Sequence, residues 1–132
     1  MLRGELGRYV FRVPSEAALQ AQVASVLAAV PGLHIDTEVR REGGRFDLLV
    51  RYTAPGEFYQ TSIVIELKVK GSAAAVERQA QRYAKMDDVD AVAVVTTSNR
   101  LHAALMAPGD VGQAPVPTLG GKPFYVIVLR TT

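Results

Sequence analysis

The chain has 132 residues, 15 lysines and arginines against 13 aspartates and glutamates, and no cysteine. This length suffices for a hydrophobic core, and the lack of cysteine excludes a disulfide framework and a cysteine-based zinc site. No apolar run approaches the roughly 18 residues of a membrane-spanning helix, and no signal peptide is visible. We therefore expect one domain over residues 1–132, in the cytoplasm and without a membrane partner. The net charge of +2 permits an anionic partner but does not by itself predict one.

Hydrophobic periodicity and turn residues predict alternating helices and strands along the chain. Residues 1–13 are compatible with a short edge strand or a basic arm, and the pattern does not choose between them. Ser15 is a typical N-cap for a helix whose apolar stripe ends before Pro31. The Gly/Pro-rich segment 107–122 predicts a long mobile loop. The other predicted elements are strands at 33–42, 44–50, 63–70, 90–97 and 124–129 and helices at 73–86 and 100–106.

These elements predict an α/β fold with a mixed central sheet flanked by helices, in the order α-β-β-β-α-β-α-β. The strand at 90–97 is almost continuously apolar, which is typical of a central strand covered on both faces. Together with the strand at 63–70 and the helix between them, it forms a β-α-β unit. Such a unit implies a parallel strand pair and a right-handed crossover.

Two charged residues interrupt the most hydrophobic of these strands. The apolar positions of the strand at 63–70 share one parity, while Glu66 and Lys68 fall on the other side. A charged pair in so apolar a strand is costly to bury unless it has partners. One interpretation is an exposed sheet face with a surface salt bridge. The other is a buried site in which the two charges take part in chemistry.

Asp47 is a second anomaly, because aspartate is disfavoured within strands and is here enclosed by apolar neighbours. A two-residue hairpin turn at Gly56-Glu57 would set Asp47 directly opposite Glu66 across an antiparallel pair. Opposed side chains have Cβ atoms about 5 Å apart, so two carboxylates there repel each other unless a proton or a cation lies between them. With a lysine beside them, this arrangement suits a divalent metal and an activated water.

Asp47, followed by Glu66-Leu67-Lys68 in an apolar strand, resembles the D…(D/E)-x-K signature of the PD-(D/E)xK nuclease superfamily. In the next helix, Gln79 and Tyr83 resemble the Q-x-x-x-Y motif of the RecB-like and λ-exonuclease-like branches of that superfamily. The one departure is that the residue before the aspartate is not proline. The resemblance implies a restriction-endonuclease-like fold and hydrolysis of phosphodiester bonds in DNA.

The resemblance also implies a role for each residue of the signature. Asp47 and Glu66, with the carbonyl of Leu67, would hold Mg²⁺ or Mn²⁺. Lys68 would orient the attacking water and offset charge in the transition state. Glu16, which its spacing places on the inward face of the first helix, is the candidate for an additional metal ligand.

Polar residues of the next helix complete the predicted site. Gln79 falls on the buried stripe of that helix, and we expect its amide to orient the metal site or the scissile phosphate. Arg78 and Arg82 on the outward face, with Arg45 and Tyr83, are the predicted DNA contacts. For the arginines, a solvated surface is the alternative interpretation.

Two other functions fit the same fold. One is a structure-selective endonuclease similar to an archaeal-type Holliday-junction resolvase, which would act as a homodimer. The other is a non-catalytic module that binds nucleic acid or another subunit. Intact Asp47, Glu66 and Lys68 argue against the second, because a site without activity has no reason to keep clustered charges. The sequence therefore favours a metal-dependent deoxyribonuclease and leaves its oligomeric state open.

Overall fold

The computed structural model describes residues 2–11, 15–42, 44–106 and 118–131. In chain order its elements are α1 (Leu2–Leu6), β1 (Val10–Phe11), α2 (Glu16–Ala28), β2 (His34–Arg41), β3 (Gly44–Tyr52), β4 (Thr61–Lys68), α3 (Ala73–Ala84), β5 (Ala91–Thr96), α4 (Asn99–Leu105), β6 (Thr118–Leu119), β7 (Lys122–Val128) and β8 (Arg130–Thr131). Among these residues, no helix is both long and apolar enough to cross a membrane.

The central feature is a six-stranded sheet with the strand order β2-β3-β4-β5-β7-β6, and β1 pairs with β8 in a separate two-stranded sheet. Strands β2, β3 and β4 are antiparallel neighbours, whereas β5 is parallel to both β4 and β7. The predicted α/β class with a mixed sheet is therefore confirmed. The predicted β-α-β unit is also present, since β4, α3 and β5 form a parallel pair joined through a helix.

Both faces of the sheet are covered. On one face, α2 buries Leu19, Val23 and Leu27 against the sheet, and Ser15 caps this helix as predicted by accepting a hydrogen bond from the Ala18 amide. On the other face, α3 and α4 cover the sheet with a second set of apolar side chains that includes Val76, Ala80, Tyr83 and Leu101. Each fully buried Leu or Val stabilises the fold by about 1.5–3 kcal/mol. We call the two sets the α2-side core and the α3-side core.

Three local predictions need correction. Residues 2–6 form the short helix α1, whose Leu2 and Leu6 are buried, so only Val10–Phe11 of the N-terminal segment is a strand. The β3–β4 connection is not a two-residue turn, because the strands end at Tyr52 and resume at Thr61. Of the loop predicted at 107–122, residues 118–122 belong to an antiparallel β6–β7 hairpin, and the rest lies outside the described residues.

In both β2 and β3, the alternation of side chains between the two faces of the sheet is broken where Glu38 lies opposite Asp47. Their pairing continues on either side of this position but omits it. Phe46 packs in the α3-side core and Leu48 in the α2-side core, although regular alternation would put both on one face. Glu38 has a φ of 54°, a left-handed conformation that is uncommon for a residue other than glycine. The interruption frees the Asp47 side chain from the regular sheet pattern.

The first prediction concerns Gly44, which begins β3 with a φ of 144°. A Cβ at this position would lie 3.4 Å from Cε1 of Tyr83. We expect Gly44→Ala to destabilise the protein by about 1–3 kcal/mol, because alanine is strained in this conformation and crowds the tyrosine ring. Urea unfolding of the purified variant measures the change.

Gly56→Ala is the matched control, because Gly56 also has a positive φ, of 83°, but nothing lies within 4 Å of its added Cβ. The Gly44 variant should lose more stability than the Gly56 variant. Equal losses would mean that the approach of Tyr83 to the start of β3 contributes nothing.

Candidate active site

Asp47 is positioned by a hydrogen bond to the neighbouring strand. Pairing of β3 with β4 runs from Tyr52–Thr61 to Leu48–Ile65, which confirms the predicted register and stops one residue short of Asp47. Beyond that point, the Leu67 amide donates to Asp47 Oδ2 at 2.9 Å. The side chain therefore takes the place of a backbone acceptor, and the carboxylate, only 8% exposed, is fixed over the end of β4.

Glu66 is buried beside Asp47. It is 5% exposed, so the interpretation of this strand as an exposed face with a surface salt bridge is wrong. Burial, followed by the negative charge of Asp47, raises the pKa of Glu66 to about 8, and the positive charge of Lys68 only partly opposes this. Its Oε2 atom is buried without a hydrogen-bond partner in the described part of the protein. At neutral pH and without a cation, the pair therefore holds a proton.

Gln79 and Tyr83 join α3 to the start of β3. The Gln79 amide donates to the Tyr83 hydroxyl at 2.8 Å, and that hydroxyl donates to the Arg45 carbonyl at 2.7 Å. The tyrosine ring lies edge-to-face on Phe46 with 4.9 Å between ring centroids. Burial, followed by the charge of Glu66, raises the pKa of Tyr83 to about 12, so its hydroxyl keeps its proton.

Tyr83 is 0% exposed, so the prediction that it contacts DNA is wrong. A side chain buried in the α3-side core cannot stack on a base or reach a phosphate. The Q-x-x-x-Y pair instead acts as an anchor, because it holds the backbone of Arg45 two residues before Asp47.

Lys68, Glu16 and Leu67 are the other residues predicted to belong to the metal site with Asp47 and Glu66. Lys68, at the end of β4, is partly exposed, and in the described residues no ion pair joins it to a carboxylate. Glu16 is exposed rather than inward-facing, and its Oε1 accepts a hydrogen bond from the Val69 amide at 3.1 Å. Leu67 and Glu16 both line an open groove beside Asp47, of about 460 Å³.

Arg45 and Glu38 form the far side of that groove. Arg45 Nη1 lies 2.9 Å from Glu38 Oε2, and Arg45 Nη2 lies 3.7 Å from Asp47 Oδ1. Gln20 of α2 donates to Glu38 Oε1 at 3.2 Å. Sequence analysis missed Glu38 and Gln20. The only available signal for Glu38 was its place opposite Asp47 in the β2–β3 hairpin.

A second groove runs along the outer face of α3. Arg78, Gln79, Arg82 and Lys85 are among the residues that line it. The arginines are exposed, as predicted. Gln79 donates to the hydroxyl of Tyr83, whose pKa the nearby charge of Glu66 raises. The basic surface and the acidic pair therefore lie on neighbouring parts of the molecule.

The residues present fit a divalent cation bound by two protein carboxylates. In the described residues, no group of three or more His, Cys, Asp or Glu side chains is arranged to hold a metal, so Glu16 does not join Asp47 and Glu66 in one cluster. Mg²⁺ commonly uses one or two carboxylates and completes its shell with water and substrate phosphate. The unpartnered Oε2 of Glu66, next to a second carboxylate, suits such a site.

No protein-family model matches the chain, and no curated protein or solved structure does either. A function for this chain is therefore inferred from the geometry and chemistry of the site.

The second prediction concerns pH. The pKa of Glu66 lies near 8 in the folded chain and near 4.5 in an unperturbed one, so the folded state binds this proton more tightly. The resulting stability is fully present below about pH 4.5 and is lost as the pH rises to about 8. We expect the metal-free protein to become less stable from pH 5 to 8.5, measured by urea unfolding in EDTA.

Glu66→Gln is the control because it removes the ionisation and retains the shape. The difference in unfolding free energy between the variant and the wild type should grow with pH in favour of the variant. Contributions from the groups that both proteins share cancel in this difference. Parallel pH profiles for the two proteins would contradict a buried, protonated Glu66.

Proposed function

We propose that this protein is a divalent-metal-dependent nuclease that hydrolyses phosphodiester bonds in DNA, with the restriction-endonuclease-like fold of the PD-(D/E)xK superfamily. The observation that carries the proposal is the buried Asp47–Glu66 pair, in which Glu66 Oε2 has no hydrogen-bond partner among the residues that the structure describes. Two neighbouring strands that each bury a carboxylate sacrifice stability, since an ionised group is costly to bury unless it is paired. Such a cost is typical of a functional site.

Asp47 and Glu66 would hold Mg²⁺ or Mn²⁺, with the carbonyl of Leu67 as the third protein donor. When bound, the cation would polarise a phosphodiester and favour ionisation of an attacking water. The Leu67 amide keeps Asp47 Oδ2 in place, so the carboxylate is oriented before any ion binds. Glu16 already accepts a hydrogen bond through Oε1, which leaves its Oε2 for a water or a second ion at the edge of the groove.

Lys68 would act next to these carboxylates. Lys68 is the last residue of β4 and lies two residues after Glu66, so both side chains point to the same side of the strand. Its positive charge lowers the pKa of Glu66. A partly exposed ammonium group at this position would orient the attacking water and offset negative charge as the phosphate becomes pentavalent. Its charge does not need to be lost for this role.

One stretch of the substrate backbone would lie along α3, while the phosphate to be cleaved would enter the groove that contains Asp47. The exposed guanidinium groups of Arg78 and Arg82 border the groove that contains Gln79, and cations so placed bind phosphates without reading sequence. The same arrangement also suits a module that binds DNA without cutting it. The two functions differ in whether Lys68 and the carboxylate pair are needed for turnover.

The primary experiment is incubation of the protein with linear, circular, single-stranded and branched DNA in Mg²⁺, Mn²⁺ or EDTA. Cleavage that requires the metal supports the nuclease, and the product pattern distinguishes exonuclease from endonuclease activity. Binding without cleavage on all four substrates would support the non-catalytic module.

The third prediction concerns metal binding. We expect Mn²⁺ to raise the melting temperature saturably, because a ligand at 100 times its Kd stabilises the folded state by about 2.7 kcal/mol. Asp47→Asn and Glu66→Gln should each abolish this shift, and asparagine can still accept the Leu67 amide. Glu5→Gln, in α1 and outside the groove, should retain the shift. A wild-type melting temperature that does not change with Mn²⁺ would contradict the proposed metal site.

The fourth prediction concerns Lys68. Lys68→Ala should lower the cleavage rate by roughly 10²–10³, the usual cost of losing one group that stabilises transition-state charge. Mn²⁺ binding and DNA affinity should largely remain. Lys70→Ala is the control, because Lys70 has the same charge, is exposed and lies two residues further along. Cleavage within a few-fold of wild type in a folded Lys68 variant would refute the catalytic role.

A further inference from the structure

Arg45 lies between two carboxylates and is closer to that of Glu38 than to that of Asp47. Its contact with Glu38, at 2.9 Å, is a close ion pair. Its contact with Asp47, at 3.7 Å, is too long for a hydrogen bond and acts through charge alone. The guanidinium is therefore bound to Glu38 and lies beside Asp47. Its side chain is 55% exposed to the groove, so it can move without disturbing the core.

Glu38 is built to hold this arginine. One of its carboxylate oxygens accepts a hydrogen bond from Gln20 of α2 and the other forms the ion pair with Arg45, so the carboxylate is held from two sides. Its left-handed backbone, with φ 54°, lies at the position where the β2–β3 pairing is interrupted opposite Asp47. Strained backbone of this kind persists only where surrounding contacts maintain it, and it is common at functional sites.

A divalent cation bound to Asp47 would share that carboxylate with Arg45. Two positive charges near one carboxylate repel each other, and this repulsion lowers the affinity for the ion. By holding the guanidinium at its own carboxylate, Glu38 limits the extent to which Arg45 occupies Asp47.

We propose that Arg45 and Glu38 regulate the affinity of the metal site and couple it to the substrate. Arg45 competes with the cation for Asp47, Glu38 restrains that competition, and a DNA phosphate in the groove relieves it by drawing the guanidinium away. Metal and DNA then each strengthen the binding of the other, as linkage requires. This inference rests on the metal site proposed above.

The test is a titration of Mn²⁺ into the full chain, in which calorimetry measures the binding. It is carried out with and without a non-cleavable phosphorothioate DNA duplex. Arg45→Ala should bind Mn²⁺ about fivefold more tightly than wild type in the absence of DNA, equivalent to about 1 kcal/mol. Glu38→Gln should bind it several-fold more weakly, and only slightly so when Arg45 is already alanine. DNA should tighten Mn²⁺ binding by wild type more than by the Arg45 variant.

Arg40→Ala is the matched control, because Arg40 is exposed, has the same charge and is the cross-strand neighbour of Arg45. It should leave the Mn²⁺ affinity within about twofold of wild type, which is about 0.4 kcal/mol. Arg45→Gln, which keeps a donor for Glu38, provides a second variant with the same expected sign.

Mn²⁺ binding by wild type with no tightening in either Arg45 variant would overturn this inference and leave the metal site standing. Equal tightening in the Arg40 variant would also overturn it, because a general charge effect would then suffice. A wild-type protein that binds no Mn²⁺ would overturn the metal site itself, and this inference with it.

Discussion

The fold and the candidate site both depend on the hydrogen bond from the Leu67 amide to Asp47 Oδ2. Backbone pairing of β3 with β4 stops at Leu48–Ile65, so this amide would otherwise be buried without an acceptor. An unsatisfied buried donor costs about 1–3 kcal/mol. The Asp47 side chain removes that cost, and in doing so it fixes a carboxylate next to Glu66. One contact therefore continues the link between β3 and β4 past their last backbone pair and positions the acidic pair.

The acidic pair is stable in the folded chain only because its charge is compensated. Asp47 faces the guanidinium of Arg45, while the more deeply buried Glu66 has no such partner and keeps a proton up to about pH 8. The proton therefore occupies the place that a divalent cation would take. Because an ion would have to displace that proton, the proposed metal site should bind its ion more tightly as the pH rises, until Glu66 is ionised. The arrangement links protonation, folding and ion binding through one carboxylate.

The sequence predicted the main elements of the sheet well because their signals are local. The apolar runs of β4 and β5, the cap of α2 and even the β3–β4 register were readable from residue patterns. The register was right although the turn was not, since Pro55 and Gly56 form a tight turn within a longer connection that is still centred on the same residues. Short elements such as α1 were not predicted, because a single helical turn has too little periodicity to recognise.

The site was less predictable because it depends on a break in periodicity. Regular alternation places Phe46 and Leu48 on one face, whereas the interruption at Asp47 sends them to opposite cores. The same break joins the two sides of the sheet through Arg45. Its carbonyl receives the Tyr83 hydroxyl from α3, while its side chain enters the groove beside α2. A shift in α3 would therefore move the backbone that carries both Arg45 and Asp47, so the helix that lines the basic groove is linked to the charges of the proposed metal site.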